Sequence, residues 1–120
     1  MIGKFEIKQA GNGQFHFHLK AGNGSIILSS EMYKAKSGAE RGVESVKANA
    51  PNEGRYERRT GKNGEPFFVL KAGNGEIVGV SELYASTASM EIGIESVKRN
   101  APGAGVEDLT EQANRRSARA

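Results

Sequence analysis

Short segments in which apolar and polar residues alternate open the chain, and segments of the same kind return after its midpoint. Alternation with a period of two is typical of a strand that buries one face, so these segments predict β-strands. They span 4–9, 14–20, 25–30, 65–71 and 76–81. The Gly/Asn clusters between them favour hairpin turns, because Asn-Gly tolerates positive φ.

The register of the first two hairpins can be predicted by requiring their apolar residues to lie on one face of the sheet. A two-residue loop at 23–24 pairs Leu19 with Leu28 and Ala21 with Ile26. The same loop length at 12–13 would turn the first strand over, since a one-residue slip moves every side chain across the sheet. We therefore predict an odd-length loop or bulge at 11–13. It brings together five apolar side chains: Phe5, Ile7, Phe17, Leu19 and Leu28.

An apolar stripe with helical spacing follows the third strand of each half, and its 4-3-4 spacing predicts an amphipathic helix. The stripes consist of Ala39, Val43, Val46 and Ala50, and of Met90, Ile94, Val97 and Ala101. Pro51 and Pro102 end both helices, because the residue before a proline is displaced from the α region.

Polar residues at the helix ends predict caps. Ser37 and Glu40 have the spacing of a capping box at the start of the first helix. Asn49 and Asn100 are candidate caps at the two C-termini.

The two halves are copies of one unit. A shift of 51 positions aligns 5–51 with 56–102 without a gap, and about half of the aligned residues are identical. The shared blocks are L-K-A-G-N-G, S-E-x-Y and E-S-V-K-x-N-A-P. Duplication of a unit of this size indicates that the copies share one core.

These elements predict an α+β fold in the order β-β-β-α-β-β-β-α-β. One antiparallel sheet with two helices packed on one face buries both apolar stripes most simply. We expect a single domain over 1–112, made of repeats 4–53 and 54–109. Residues 55–60 would serve both halves, and 106–109 would form a closing strand.

The repeated blocks, in this order, are similar to those of the YegP-like family of small uncharacterised bacterial proteins. The resemblance covers about 4–109. It implies tandem β3-αβ repeats in one continuous sheet, with the C-terminal strands exchanged between the repeats. It also implies a monomer, because the repeat is already in tandem, and it supplies no catalytic or binding residues.

The basic character of the chain belongs to its C-terminus. The formal net charge is +3, and the three arginines at 115, 116 and 119 account for it, which leaves 14 basic and 14 acidic residues in 1–114. We expect 113–120 to be a disordered, solubilising tail. Weak nucleic-acid association through this tail is an alternative, although a neutral body offers no basic stripe.

Composition excludes several classes of chemistry. The chain has no cysteine, so disulfides, thiolate metal sites and cysteine nucleophiles are excluded. No apolar run approaches the roughly 20 residues of a membrane helix, and no apolar leader follows Met1. We expect a cytoplasmic protein without a cofactor.

Two polar features of the sequence are candidate sites. His16 and His18 lie at i and i+2 of one strand and would share a face, but Phe67 and Val69 stand at the aligned positions, so we predict no metal site. Ser30-Glu31 and Ser81-Glu82, with Tyr33 and Tyr84, form repeated S-E-x-Y loops. An enzyme with a site in these loops is an alternative, but no histidine is placed to activate the serines.

Glycine inside both predicted helices points to close packing. Gly42 and Gly93 lie beside the buried stripes, at a cost of about 1 kcal/mol each relative to alanine. We predict that the helix backbone approaches another helix or the sheet closely at both positions.

The uncovered face of the sheet differs between the halves. We predict His16, His18, Ile27 and Ser29 there in the first repeat, and Phe67, Val69, Val78 and Val80 in the second. Apolar patches of this kind mark interaction surfaces. The favoured hypothesis is a non-enzymatic binding or accessory module that contacts a protein or a small ligand through Phe67, Val69, Val78 and Val80.

Overall fold

Within residues 3–110, seven strands and two long helices form in the order that the alternation and the apolar stripes predict. The computed structural model describes residues 3–110. The elements are β1 (Lys4–Gln9), β2 (Phe15–Lys20), β3 (Ile26–Ser29), α1 (Lys36–Asn49), a 3-10 turn (Glu53–Arg55), β4 (Tyr56–Thr60), β5 (Pro66–Lys71), β6 (Ile77–Val80), α2 (Thr87–Asn100) and β7 (Gly105–Asp108).

All seven strands join in one sheet with the order β4-β5-β6-β3-β2-β1-β7. The repeats meet at the β3–β6 pair, where Ser29 lies opposite Val80. β4 follows α1 and opens the second repeat, but among the described strands it pairs with β5 alone, so it is an edge strand of the second repeat and does not serve both halves as predicted. β7 crosses back to β1 of the first repeat and runs parallel to it, whereas the other pairs are antiparallel. The α+β repeat fold with its exchanged strand is thereby confirmed.

The core lies between one face of the sheet and both helices. Phe5, Ile7, Phe17, Leu19 and Leu28 are at most 1% exposed, which confirms the predicted odd-length loop at 11–13. Both helical stripes belong to the same apolar cluster. At the seam, Leu28 lies over Gly79, where a Cβ would come within 2.5 Å of the leucine.

The second hairpin corrects the predicted register. Its loop has three residues, 22–24, closed by the Ala21 N–H to Ser25 O bond of 2.8 Å, with Gly24 at φ 90°. A bulge after Leu19 then adds a residue to β3, so Leu28 still faces Leu19 while Ile26 faces Lys20 instead of Ala21. The β5–β6 hairpin repeats this bulge after Leu70. Three-residue loops that end in a left-handed glycine are a common hairpin type.

The predicted helix caps are wrong in detail. α1 starts at Lys36 with Ala35 as an N-cap that has no side-chain bond, so Ser37 already lies inside the helix. A capping box forms on α2 instead, between Ser86 and Ser89. The helical backbone continues through Ala50 and Ala101, so no left-handed C-cap forms at the preceding asparagines.

The two asparagines connect the helix ends to the strands. Asn100 donates through Nδ2 to Ser96 O at 2.8 Å and accepts the Gly3 N–H at 2.8 Å. Asn49 donates to Ser45 O at 2.8 Å and accepts from Arg55 Nε at 3.0 Å. These bonds fix the entries to β1 and β4, so the asparagines act in packing and do not cap the helices.

Candidate functional site

The helices leave one face of the sheet uncovered, here called the open face. Side chains that alternate with the core residues lie on it, and the strand registers align seven of them in a row across the sheet. From β7 to β4 the row is Glu107, Glu6, His18, Ser29, Val80, Val69 and Glu57. The row is polar at both ends and apolar at Val80 and Val69.

Glu6 is the centre of an ionic cluster in the first repeat. It accepts a hydrogen bond from His18 Nε2 at 2.7 Å, and Lys20 and Lys4 lie 3.3 and 3.5 Å from its oxygens. Burial alone would raise the pKa of Glu6, but the hydrogen bonds from His18 and Lys20 outweigh it and lower the pKa to about 2. Lys4 also contacts Glu107 at 2.7 Å, which offsets the repulsion between the two carboxylates.

The second repeat carries a related cluster around Glu57. Arg59 Nε lies 2.6 Å from its carboxylate, and Lys71 pairs with it as well. Hydrogen bonds from Arg59 and Lys71 lower the pKa of Glu57 to about 2. Glu57 and Lys71 are the repeat equivalents of Glu6 and Lys20, so each half presents one Glu–Lys pair on the open face.

The strands bring an excess of cations to this face. Its strand residues include five cations, Lys4, Lys8, Lys20, Arg59 and Lys71, and three carboxylates, Glu6, Glu57 and Glu107. The difference is +2. The sequence analysis did not predict these clusters, although Glu6 and Lys20 recur as Glu57 and Lys71.

The predicted apolar surface is smaller than expected. Val80 is 38% exposed, Phe67 is half-buried, and Val69 is only 1% exposed. Val78 and Ile27 were placed on the open face wrongly, because the β-bulges turn both into the helix-covered cluster. Of the four predicted residues, Val80 and Phe67 therefore remain accessible, and Ile26, opposite Lys20 and 43% exposed, is a further apolar contact of this face.

The two histidines do share the open face, as predicted, but they have different partners. His18 is bonded to Glu6, whereas His16 lies opposite Lys8. Burial, with the charges of His18 and Lys8, lowers the pKa of His16, which favours the neutral imidazole. Within residues 3–110, no group of three or more His, Asp or Glu side chains is arranged to hold a metal ion.

The S-E-x-Y serines hold the loops between strand and helix. Ser81 Oγ accepts the Phe68 N–H at 2.9 Å and donates to Glu82 O at 2.8 Å. Ser30 makes the equivalent bonds to Phe17 and Glu31 at 2.9 and 2.7 Å. Each hydroxyl thus accepts one backbone hydrogen bond and donates another, which is a structural role and disfavours a serine nucleophile.

The tyrosines of the same loops explain the helix glycines. Tyr33 stacks on Phe17 and Tyr84 on Phe68, both with centroids 6.3 Å apart. A Cβ at Gly93 would lie 2.2 Å from Tyr84 Oη, and one at Gly42 would lie 2.6 Å from Tyr33 Oη. The predicted close approach exists at both positions: α1 at Gly42 approaches Tyr33 and also Phe17 of the sheet, where a Cβ would lie 2.7 Å from the ring, whereas α2 at Gly93 approaches Tyr84.

Residues 113–120, predicted to be a disordered tail, lie outside the described residues. Among the helices described, none is long and apolar enough to cross a membrane.

The comparisons with known proteins agree with the duplicated fold. A family model described as "Domain of unknown function (DUF1508)" matches twice, at 10–57 and 62–108. The UPF0339 protein of Pseudomonas aeruginosa is 54% identical over 108 residues, covering 90% of this chain and 98% of the relative. UPF0339 protein YegP of Escherichia coli K12 is 49% identical over 110 residues, covering 92% and 100%.

Two solved structures have the same fold. The solution NMR structure of a UPF0339 protein from Shewanella oneidensis matches with a TM-score of 0.86 at 49% identity, covering 91% of this chain and 92% of that one. The solution NMR structure of yegP from E. coli, titled a protein of unknown function, matches with a TM-score of 0.85 at 49% identity, covering 90% and 93%. These names report no catalytic activity.

Proposed function

The chain belongs to the DUF1508 family of unknown function, and from that premise we propose that it is a non-enzymatic binding module whose open face docks a partner protein. The observation that carries this proposal is the seven-residue row on a sheet face that neither helix covers. The partner surface is acidic with an apolar centre.

Charge and exposure support this kind of partner. The open face has an excess of two positive charges on its strands, and Lys8 makes no ion pair with another residue of 3–110. Val80 and Phe67 supply an apolar contact between the two ionic clusters. Interfaces of this kind combine a small desolvated centre with a charged rim that sets orientation.

Nucleic acid fits the same face poorly. A phosphate backbone is uniformly negative, whereas Glu6 and Glu57 lie among the cations of the open face and already pair with them. The C-terminal tail, with its three arginines, carries the same sign of charge as the face and is not its complement. We propose that the chain is monomeric when free, because each repeat finds its sheet neighbour within the chain.

Two matched substitutions test the docking surface. Val80→Asp adds a carboxylate to the centre of the open face, and Ile92→Asp makes the same change at an α2 position that is 69% exposed. Immobilised full-length chains are incubated with extract of the native host, and bound proteins are quantified by mass spectrometry. Proteins retained by the wild type should fall at least roughly tenfold with Val80→Asp, equivalent to about 1.4 kcal/mol, and persist with Ile92→Asp.

The opposite pattern refutes the proposal. Retention that survives Val80→Asp, or that both substitutions reduce equally, would place binding elsewhere on the chain. Light scattering of the unbound chain checks the monomer.

A further inference from the structure

A groove on the helix side of the molecule lies between α1 and the β5–β6 turn. Its volume is about 300 Å³, at the lower end of the range for small-molecule sites. Gly38 and Gly42 line it from α1, and Ala72, Ile77 and Val78 form its apolar part. The groove is separate from the open face and can hold a small ligand.

Two repeated motifs meet in this groove from opposite halves of the chain. Glu31 and Tyr33 come from the S-E-x-Y loop of the first repeat, and Asn74 comes from a G-N-G turn of the second. The groove therefore exists only because the repeats share one sheet. The hydrogen bonds of Ser30 hold the first of these loops, but they do not involve the side chains of Glu31, Tyr33 or Asn74.

The charged side chains that line the groove are of both signs and are not paired with each other. Glu31, Arg41 and Glu76 make no ion pair with any residue of 3–110, although Glu76 accepts a hydrogen bond from Asn74 Nδ2 at 3.1 Å. Burial raises the pKa of Tyr33, and the charges of Glu31 and Glu76 add to that shift. Both carboxylates thus act on the same hydroxyl.

The equivalent place in the other half lacks two of these three charges. A shift of 51 positions puts Ile92 at the position of Arg41 and Ser25 at that of Glu76. The tyrosine, the glycine and the acidic residue of the loop are kept as Tyr84, Gly93 and Glu82. The shared framework is structural, and the added charges make the first groove distinct.

We propose that this groove binds a small zwitterion of the amino-acid type with an apolar side chain. Its ammonium group faces Glu31, Glu76 and the Tyr33 hydroxyl, its carboxylate faces Arg41, and its side chain lies on Ile77 and Val78. A ligand with both charges matches all three unpaired side chains, whereas a simple amine leaves Arg41 unmatched and a simple acid leaves both glutamates unmatched. This inference goes beyond docking at the open face.

Three probes of similar size separate the two charge contacts. The full chain, labelled with ¹⁵N, is titrated with L-leucine, with leucinamide, which lacks the carboxylate, and with 4-methylpentanoate, which lacks the ammonium group. Leucine should give saturable amide shifts within 38–45 and 72–78. Each analogue should bind about tenfold more weakly, because a charge-assisted hydrogen bond is lost.

Substitutions at the exposed charges assign each contact. Arg41→Gln should remove the preference for leucine over leucinamide, and Glu76→Gln should reduce the preference over 4-methylpentanoate. Ile92→Gln, at the position equivalent to Arg41, is the matched control and should change neither preference. The proposal is overturned if leucine gives no saturable shift, if its two analogues bind as well as it does, or if 23–27 and 92–96 shift equally.

Discussion

The approach of α2 to Tyr84 can be tested by adding one methyl group at Gly93. The three nearest atoms to a Cβ there all belong to Tyr84, with Oη at 2.2 Å and Cζ at 2.6 Å. Carbon contacts are optimal near 3.5–4.0 Å, so the ring would have to retreat by more than about 1 Å. Its stacking on Phe68 would be disturbed.

Two opposing terms set the size of the effect. Gly93→Ala improves helix propensity by about 1 kcal/mol, while forcing a methyl group into a packed contact costs about 1–3 kcal/mol. Tyr84 is half-buried and can move partly outward, so we expect a net loss of about 1 kcal/mol in the free energy of unfolding. In a Tyr84→Ala background the obstacle is gone, and the same change should stabilise the chain by up to about 1 kcal/mol.

The wild type, Gly93→Ala, Tyr84→Ala and the double variant form a double-mutant cycle. Urea denaturation of these four chains, followed by far-ultraviolet circular dichroism, measures the Gly93→Ala effect with and without the tyrosine. The sign of the Gly93→Ala effect should reverse when the tyrosine is removed, with a coupling of about 2 kcal/mol. Stabilisation of the wild type by Gly93→Ala would refute the close-contact explanation. So would a cycle without coupling.

Two further predictions concern buried polar groups. Ser81→Ala should lower the free energy of unfolding by about 1–3 kcal/mol, since the buried Phe68 N–H loses its acceptor. The control Ser29→Ala, on the open face, should change it by less than about 0.5 kcal/mol. Equal urea midpoints for the two variants would contradict this prediction. The pKa of Glu6 is about 2 in the folded chain against an ordinary 4.5, so its stabilisation is complete above about pH 4.5 and is lost as the pH falls toward 2. Urea midpoints between pH 6 and 2 should therefore fall less steeply for Glu6→Gln than for the wild type, and parallel curves would contradict the assignment.

The architecture could be predicted from the sequence because several local signals agree. Four Gly/Asn turns, two apolar stripes and two prolines define the elements, and the 51-residue repeat requires both halves to share one core. Neither half has enough apolar surface to cover its own stripe. The single sheet with both helices on one face followed from that shortage.

The errors come from one-residue effects that alternation does not reveal. The loop at 22–24 is one residue longer than predicted, and the bulge in β3 compensates, so the Leu19–Leu28 pair was predicted correctly while Ile27 was placed on the wrong face. Val78 followed the same error in the second repeat. The parallel orientation of β7 was also missed, since a four-residue strand carries no signal of direction.

The interactions on the open face depend on register between distant strands. The Glu6–His18 hydrogen bond forms only in the β1–β2 register that places these two residues opposite each other. The contact of Lys4 with Glu107 forms only because β7 returns to β1. The internal repeat of Glu6 and Lys20 as Glu57 and Lys71 was the one signal available in the sequence.

Docking at the open face is tested most directly by methyl NMR on the full chain, titrated with a partner protein recovered by the capture experiment. The Val80 methyl groups report on the open face, and the Ile92 methyl group reports on the outer surface of α2. We predict large shifts or broadening at Val80 with Ile92 unchanged. Perturbation of Ile92 with an unchanged Val80 would contradict the account.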